Sequence, residues 1–284
     1  MIGKESSMPQ PNPVAFTLFN INIMWYAVCV CLGILVACTL AYFRAPKHNL
    51  DPDRLLNFMI ISIPMGIIGA RAYYVLFHWD WYAGDIMAII NIRQGGLAIH
   101  GGLILGLGTA AVLCKVFKVN PVEVLDLCAP SIAIGQAIGR WGNYFNSEAH
   151  GGPTDLPWGV LIDGRTYHPT FLYESIWCLL LFFLLLLVDR NRKFTGQIIL
   201  LYGMLYSCER FFVEALRTDS LMIGPFKQAQ VISLVIFFIC LVLYVILDRR
   251  SKGSPFKDQS DTAGDTPAEN ADNKDNTVRK QGDN

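Results

Sequence analysis

Long apolar runs alternate with short polar segments along most of the chain. Each run is about as long as the 20 or so residues that a helix needs to cross the hydrocarbon core of a bilayer. Asp51-Pro52 and Asn120-Pro121 precede two of these runs, and such pairs are typical of a helix start. The pattern predicts seven transmembrane helices, over about residues 21–43, 55–77, 95–116, 120–138, 168–188, 196–216 and 229–247. We therefore expect an all-α polytopic membrane protein.

The basic residues are distributed unevenly over the predicted loops. One set of loops holds Arg44, Lys47, Arg54, Lys115, Lys118, Arg190, Arg192, Lys193, Arg249, Arg250 and Lys252. The opposite set holds mainly Lys4, Arg93, Arg165, Arg217 and Lys227. By the positive-inside rule the first set is cytoplasmic. With seven spans, the N-terminus is then outside and the C-terminus is cytoplasmic.

The two ends of the chain differ from its apolar middle. Residues 1–20 are polar and proline-rich, and we expect an extracellular N-terminal segment without a removable secretory signal. Residues 21–248 are expected to form one seven-helix transmembrane domain. Residues 249–284 have almost no apolar side chains beyond Ser251, which predicts a disordered cytoplasmic tail.

The composition agrees with a polytopic membrane protein and argues against several kinds of site. Hydrophobic residues make up 53% of the chain and charged residues only 16%, as in a protein embedded in lipid. The eight cysteines lie mostly in apolar runs, which favours buried thiols over disulfides or metal ligands. Five scattered histidines argue against a metal site, and no cofactor is expected. The basic clusters are short and flank the spans, so no nucleic-acid partner is expected.

The most unusual segment is Gly139–Gly152, which follows an apolar run and holds an arginine, two asparagines, a glutamate and a histidine. A charge near hydrocarbon costs a few kcal/mol or more, so it tends to be paired and to mark a site. The glycines of the segment permit tight turns and close approach to a ligand. We expect residues 139–168 to form a polar loop region on the outer side of the membrane, walled in by the helices.

A second polar set lies on the sixth predicted helix. Four side chains spaced at i, i+4, i+8 and i+11 share one helical face: Tyr206, Arg210, Glu214 and Arg217. An arginine and a glutamate four residues apart can simply neutralise each other. However, we expect Arg71, Arg140 and Arg210 to outnumber the carboxylates at their depth. A surplus of guanidinium groups indicates an anionic ligand such as a phospholipid head group, because the planar fork of arginine matches phosphate oxygens.

A third segment, Gln94–Gly102, places His100 among glycines near the outer end of the third predicted helix. A lone histidine is often a structural hydrogen-bonding residue. It is also the side chain best suited to accept a proton near neutral pH. Both interpretations are open at this point. Glu148 and Glu174 are candidate charge partners of the arginines.

Together these segments resemble the bacterial prolipoprotein diacylglyceryl transferases over about residues 20–247. The matching blocks are Trp25-Tyr26, Gln94-Gly95-Gly96 through His100-Gly101-Gly102, Gly139-Arg140-Trp141-Gly142-Asn143-Tyr144-Phe145-Asn146, Glu148 with Gly151, His168-Pro169 through Tyr173-Glu174, and Arg210-Phe211-Phe212-Val213-Glu214 through Arg217. The Gly-Arg-x-Gly-Asn-Phe/Tyr-x-Asn block is highly specific, and Thr218–Met222 resembles the Gram-positive branch.

The resemblance implies a multi-pass enzyme of the bacterial plasma membrane that acts within the lipid bilayer on phosphatidylglycerol. Such enzymes move its diacylglyceryl group onto the thiol of the signal-peptide cysteine of a prolipoprotein and release glycerol phosphate. The acceptor thiol belongs to the substrate, so the enzyme itself needs no nucleophilic cysteine. The alternatives are a phospholipid or anion transporter and a lipid-binding membrane protein, neither of which would change the mass of its ligand.

Within this resemblance, three side chains are the expected catalytic residues. We expect Arg140 and Arg210 to hold the phosphate and to stabilise its developing charge, and His100 to accept the thiol proton. The other candidates are expected to bind the substrate or to orient the arginines. They are Tyr26, Asn143, Asn146, Glu148, Gly151, Glu174, Tyr206 and Glu214.

Overall fold

The computed structural model describes residues 7–92 and 95–253, most of which form helices. The helices are α1 (Trp25–Arg44), α2 (Pro52–Phe77), α3 (Trp79–Tyr82), α4 (Ile86–Ile90), α5 (Ile99–Val116), α6 (Pro121–Phe145), α7 (Thr170–Asp189), α8 (Gln197–Leu216) and α9 (Gln228–Gly253). Antiparallel hairpins, which were not predicted, pair β1 (Val14–Leu18) with β2 (Ile21–Met24), β3 (Val160–Ile162) with β4 (Arg165–Tyr167), and β5 (Met222–Ile223) with β6 (Phe226–Lys227).

Within the described residues, six helices are long and apolar enough to cross a membrane. They are Trp25–His48, Pro52–Phe77, Ile99–Val116, Pro121–Phe145, Thr170–Asp189 and Gln228–Lys252. These helices correspond to six of the seven predicted spans. The remaining one, α8, has 20 residues but also carries Glu209, Arg210 and Glu214, which make it more polar. The protein is therefore mostly helical, with the apolar helices of a polytopic membrane protein.

Four predicted boundaries are wrong. The third span, predicted from residue 95, begins only at Ile99. Residues 21–24, predicted to begin the first span, form β2 instead. The polar loop region predicted from residue 139 begins only at Asn146, because α6 continues to Phe145. Helix α9 extends to Gly253, so the first residues of the predicted tail are helical. The rest of that tail, and Gln94 of the glycine-rich motif, lie outside the described residues.

Glycines bring two pairs of helices into direct backbone contact. Between α1 and α6, a Cβ on Gly33 would lie 2.8 Å from the carbonyl oxygen of Gly135. Between α5 and α2, a Cβ on Gly101 would overlap the carbonyl oxygen of Gly69 and the Cβ of Tyr73. Membrane helices gain little from hydrophobic burial against each other, so small residues and close packing hold them together. The bundle therefore contains two tight pairs, α1–α6 and α2–α5.

A buried carboxylate ties α8 to α6. Helix α8 packs on α6, α7 and α9, with Leu185 and Ile198 fully buried in the core that it shares with α6 and α7. Asp126 on α6 accepts hydrogen bonds from the amides of Gly196 at 2.6 Å and Ile199 at 2.9 Å. These amides belong to the first turn of α8, where no intrahelical acceptor exists. The start of α8 is therefore capped by a neighbouring helix.

The contacts of α1 show which helix ends lie together. At its C-terminal end, Arg44 pairs with Asp189 of α7 at 2.9 Å and donates to the carbonyl of Leu127, near the start of α6, at 2.8 Å. At its N-terminal end, Trp25 stacks on Phe145, the last residue of α6, with ring centroids 5.1 Å apart. Helices α1 and α6 are therefore antiparallel.

Arg71 on α2 stabilises the backbone rather than facing an open site. It is buried, and its guanidinium donates to the carbonyls of Ala88, Ile89, Gly95 and Gly96 over 2.7–3.1 Å. These bonds hold the segment between α4 and α5 against α2. The expectation that Arg71 contributes to an anion site is wrong, because its donors are engaged by these carbonyls.

We expect Gly101→Ala to destabilise the protein, because the added methyl group would overlap the backbone of α2. Overpacking of this kind costs about 1–3 kcal/mol. Gly108→Ala on the same helix is the matched control, since nothing lies within 4 Å of its added Cβ. The measurement is the thermal unfolding midpoint of each purified variant in detergent. Equal midpoints for the two variants would contradict the close-packing account.

Candidate functional site

Arg140 and Arg210 share one buried carboxylate. Arg140, near the end of α6, forms an ion pair with Glu174 on α7, and its Nη2 donates to the hydroxyl of Tyr206 at 3.3 Å. Arg210 on α8 donates from Nη1 to Glu174 at 3.4 Å and from Nη2 to Glu214 at 2.6 Å. We call these five residues the arginine cluster. The structure thus brings together five of the predicted site residues from three helices.

The two arginines are held in place but still accessible. The Glu174 side chain is 1% exposed, whereas each guanidinium-bearing side chain is 21% exposed. Within the described residues, Arg140 makes its ion pair and hydrogen bond through Nη2 alone. A guanidinium has five N–H donors in a planar fork, so the donors on Nε and Nη1 are open to a ligand. This arrangement suits an oxyanion, which accepts two parallel hydrogen bonds.

Tyr26 lies against the backbone of α6. A Cβ on Gly142 would lie 2.9 Å from Cδ2 of the Tyr26 ring, so a glycine is required for this close approach. The Tyr26 phenol also interacts electrostatically with Glu148 and Arg140. The first helix therefore contributes a phenol to the surroundings of the arginine cluster.

A tight turn follows α6. Asn146 is the C-terminal cap of the helix, and Ser147 and Ala149 adopt left-handed backbone conformations with φ of 52° and 54°. The turn brings Glu148 back to the last helical turn, where it accepts a hydrogen bond from Asn143 at 2.9 Å. Asn143, Asn146 and Glu148 are therefore grouped at the end of α6 that also carries Arg140.

Gly151 lies where the loop passes between α7 and α8. Its amide donates to the carbonyl of His168 at 2.9 Å, and the amide of Gly152 donates to the carbonyl of Leu216 at 2.9 Å. A Cβ on Gly151 would lie 2.7 Å from Cβ of His168 and 3.1 Å from the Leu216 carbonyl oxygen. The residue has to be glycine because the segments on both sides leave no room for a side chain.

His100 lies apart from the arginine cluster. It is exposed on the first turn of α5, with its ring centroid 6.0 Å from that of Tyr73 on α2. Helix α5 packs mainly on α2. Within the described residues, no hydrogen bond or ion pair joins His100 to either arginine of the cluster. The predicted catalytic residues thus lie on two separate parts of the bundle.

Glu209 is a polar residue near the cluster that the sequence analysis missed. It is 5% exposed, and it interacts electrostatically with Glu174, Arg140 and Arg210. It lies three residues after Tyr206 on α8, a spacing that puts both side chains on the same helical face. The helical stripe in the sequence could therefore have included it.

The carboxylates near the cluster outnumber its guanidinium groups. Glu174, Glu209 and Glu214 accompany Arg140 and Arg210. The expected surplus of arginines is therefore wrong. The affinity of the site for an anion therefore depends on two things. The guanidinium groups must have exposed N–H donors that are not already bonded, and the protonation state of the carboxyl groups sets the net charge.

The end of α8 is fixed by an ion pair outside the apolar helices. Arg217 donates to Asp219 from Nε at 3.0 Å and from Nη2 at 2.7 Å. Hydrogen bonding to this guanidinium lowers the pKa of the Asp219 carboxyl below its ordinary value. Lys227 donates to the carbonyls of Glu214 at 2.8 Å and Arg217 at 2.6 Å. These contacts stabilise the turn that follows the cluster residues of α8.

Comparison with known proteins gives one consistent result. The family model described as prolipoprotein diacylglyceryl transferase matches residues 13–246. The phosphatidylglycerol–prolipoprotein diacylglyceryl transferase of Clostridioides difficile is 48% identical over 241 residues, which cover 85% of this chain and 97% of the relative. The enzymes of the same name from Finegoldia magna and Clostridium novyi are 47% and 45% identical, over 82% and 87% of this chain and 94% and 99% of the relatives.

We expect Asp219→Asn to remove an acid-sensitive contribution to stability. Because the folded pKa of Asp219 is lowered, its ion pair stabilises the protein above the unfolded carboxyl pKa of about 3.9. That contribution is lost as the pH falls through the lower, folded pKa. The unfolding midpoint of the wild type should exceed that of the variant at about pH 6, and the difference should shrink as the pH falls below the unfolded carboxyl pKa of about 3.9. A difference that does not change with pH would contradict this account.

Proposed function

The chain belongs to the prolipoprotein diacylglyceryl transferase family, and from this premise we propose that the arginine cluster holds the phosphate of its lipid substrate. As a transferase of this family, the protein moves the diacylglyceryl group of phosphatidylglycerol to prolipoproteins. This activity sets aside the transporter and the lipid-binding protein, because neither alters its ligand.

The acceptor is the thiol of the signal-peptide cysteine of the prolipoprotein. A thiol with a pKa of about 8.5 has to lose its proton before it attacks carbon at a useful rate. The thiolate sulfur forms a bond to the terminal glycerol carbon of the diacylglyceryl group. The bond between that carbon and the phosphate oxygen breaks, and glycerol phosphate leaves with the bonding electrons. The product is a thioether.

The leaving phosphate develops negative charge as the carbon–oxygen bond breaks. Arg140 and Arg210 are the groups suited to stabilise it, and this role is supported by their shared position on Glu174 and by the open donors of Arg140. Donors fixed in advance stabilise a developing charge without further reorganisation. Glu174 and Glu214 orient the arginines, and Tyr206 supports Arg140.

The residues at the end of α6 are suited to position the lipid head group. Asn143 lies three residues after Arg140 on α6, Asn146 caps the same end of that helix, and Tyr26 contributes a phenol from α1. Glu148 orients Asn143 through their hydrogen bond. Gly151 keeps the loop close to the start of α7 and the end of α8.

His100 is the proposed base for the acceptor thiol. Displacement at a saturated carbon requires the nucleophile and the leaving group to lie on opposite sides of that carbon. A base that serves the thiol should therefore be separate from the groups that hold the phosphate. The location of His100 on α5, away from the arginine cluster, agrees with this requirement. Its exposure leaves the imidazole accessible to a peptide.

We further propose that the protein crosses the bacterial plasma membrane seven times, with α8 as a span and the arginine cluster near the outer side. Arg44 and Arg140 lie at opposite ends of the antiparallel pair α1–α6, which supports a cytoplasmic location for the end with Arg44.

Reporter fusions test this topology. Alkaline phosphatase fused after Gly224 should be active, and the same enzyme fused after Asn191 should be inactive. Equal activity of the two fusions would exclude α8 as a span.

We expect Arg140→Ala and Arg210→Ala each to lower turnover by about 10²-fold or more, the usual loss when one charge-stabilising donor is removed. The assay combines purified enzyme, phosphatidylglycerol and a synthetic signal peptide with its acceptor cysteine. Mass spectrometry follows the diacylglyceryl mass increase of the peptide. Arg140→Lys should restore activity only in part, because lysine lacks the bidentate fork.

Two controls accompany this assay. Arg54→Ala removes a 61% exposed arginine at the other end of the bundle and should leave turnover near that of the wild type. A peptide with serine in place of the acceptor cysteine should show no mass increase.

His100→Gln tests the two catalytic roles separately. Retained activity would show that His100 is not the base and would leave the phosphate role of Arg140 and Arg210 unaffected. Near-normal turnover of folded Arg140→Ala and Arg210→Ala would overturn the phosphate role.

A further inference from the structure

Glu209 is a buried carboxyl group to which the proposed mechanism gives no role. It lies on α8 directly before Arg210 and is 5% exposed. Neither of its carboxyl oxygens has a hydrogen-bond partner among the described residues. Glu214, one turn further along the same helix, differs because Arg210 pairs with it at 2.6 Å. The two glutamates of α8 therefore have different electrostatic surroundings.

The groups around Glu209 come from each helix packed against α8. Helix α6 contributes Arg140, α7 contributes Glu174 and the Cys178 thiol, and α8 itself contributes Arg210 and the Tyr206 phenol. Helix α9 has no Asp, Glu, Lys, Arg or His between residues 228 and 247. Both arginines are already paired with Glu174. Glu209 thus has a second carboxylate as a neighbour and makes no direct ion pair with any of the described residues.

An ionised carboxylate in such a position is strongly disfavoured. Burial removes hydration from the carboxylate, and no described residue donates a hydrogen bond to it. The neighbouring Glu174 carboxylate adds repulsion between like charges, which favours protonation of one of the two groups. Glu174 pairs directly with both arginines, whereas Glu209 pairs with neither of them. The proton belongs on Glu209.

The proton on Glu209 changes the net charge of the site. Arg140 and Arg210 carry two positive charges, and Glu174 and Glu214 carry two negative charges. Glu209 and the arginine cluster together are neutral if Glu209 is protonated, and they carry one net negative charge if Glu209 ionises. The phosphate diester of phosphatidylglycerol is an anion, so a net negative site would repel it.

We propose that Glu209 is held as a neutral carboxylic acid and acts as a positioning residue that keeps the arginine cluster receptive to the anionic phosphate of the substrate. The effect on substrate binding rests on the proposed function of the cluster, whereas the protonation of Glu209 does not. The two parts are therefore tested by separate measurements.

Infrared spectroscopy of the purified enzyme at about pH 6, where an ordinary glutamate with a pKa of about 4.3 is ionised, tests the protonation directly. The wild-type spectrum minus that of Glu209→Gln should contain the carbonyl stretching band of a protonated carboxylic acid. Glu123→Gln is the matched control, since Glu123 pairs with Arg192 at 2.5 Å, which favours its ionised form. Its difference spectrum should lack the band. The absence of the band for Glu209→Gln would overturn the inference, whatever the arginine variants do.

The pH profile of kcat/KM for phosphatidylglycerol tests the effect on binding. Glu209→Gln should match the wild type at about pH 6, because the amide resembles the neutral acid that Glu209 forms there. At alkaline pH, ionisation of Glu209 should lower wild-type kcat/KM relative to the variant, through KM, by up to roughly tenfold per pH unit. The ratio of the two enzymes cancels the ionisation of the acceptor thiol. The positioning role would be overturned if the ratio of wild-type to variant kcat/KM did not change with pH. This includes a variant that loses the same fraction of activity at every pH.

Discussion

Glu174 forms ion pairs with two arginines that belong to different helices. Charges taken out of water are costly unless they are paired, and removal of one partner leaves the others uncompensated. The shared carboxylate therefore fixes Arg140 and Arg210 relative to each other. Its own position follows from the packing of α7 between α6 and α8. Asp126 contributes to the same arrangement, because it caps the first turn of the helix that carries Arg210.

A second constraint comes from the close contact of α2 and α5. Gly69 and Gly101 let the two backbones touch, and Arg71 binds the segment that leads into α5 through four carbonyls. The first turn of α5, with His100, is thus supported independently of the arginine cluster. A reaction that breaks a carbon–oxygen bond by attack from the opposite side benefits from two rigid supports with the substrate between them. The separation of His100 from the arginine cluster therefore agrees with the proposed chemistry.

The sequence predicted most of the helices and many of the residues at the site. Apolar runs of sufficient length specify membrane helices directly, because lipid leaves few alternatives to a helix. The i, i+4, i+8 stripe correctly grouped Tyr206, Arg210 and Glu214, since that spacing is local. The extent of α6 was missed because the polar residues after Gly139 suggest a loop. They remain helical because α1, α7 and α8 surround that end of α6 and provide partners for Arg140.

Contacts between distant segments could not be read from the sequence. The pairing of Arg71 with backbone carbonyls depends on how the chain returns after α4, and no periodicity reports it. The balance of charges near Arg140 and Arg210 depends on which carboxylates three helices bring together. A count of arginines along the chain therefore overstated the positive charge of the site.

The shared pairing also explains how a site with so many carboxylates can accept an anion. Two arginines that share Glu174 leave several N–H donors unused, so a phosphate does not have to displace an existing partner to bind Arg140. Water exclusion strengthens each of these charge-assisted bonds. The same exclusion would strengthen the repulsion from any further carboxylate. The protonation state of the carboxyl groups thus determines whether the arginine cluster attracts or repels the substrate.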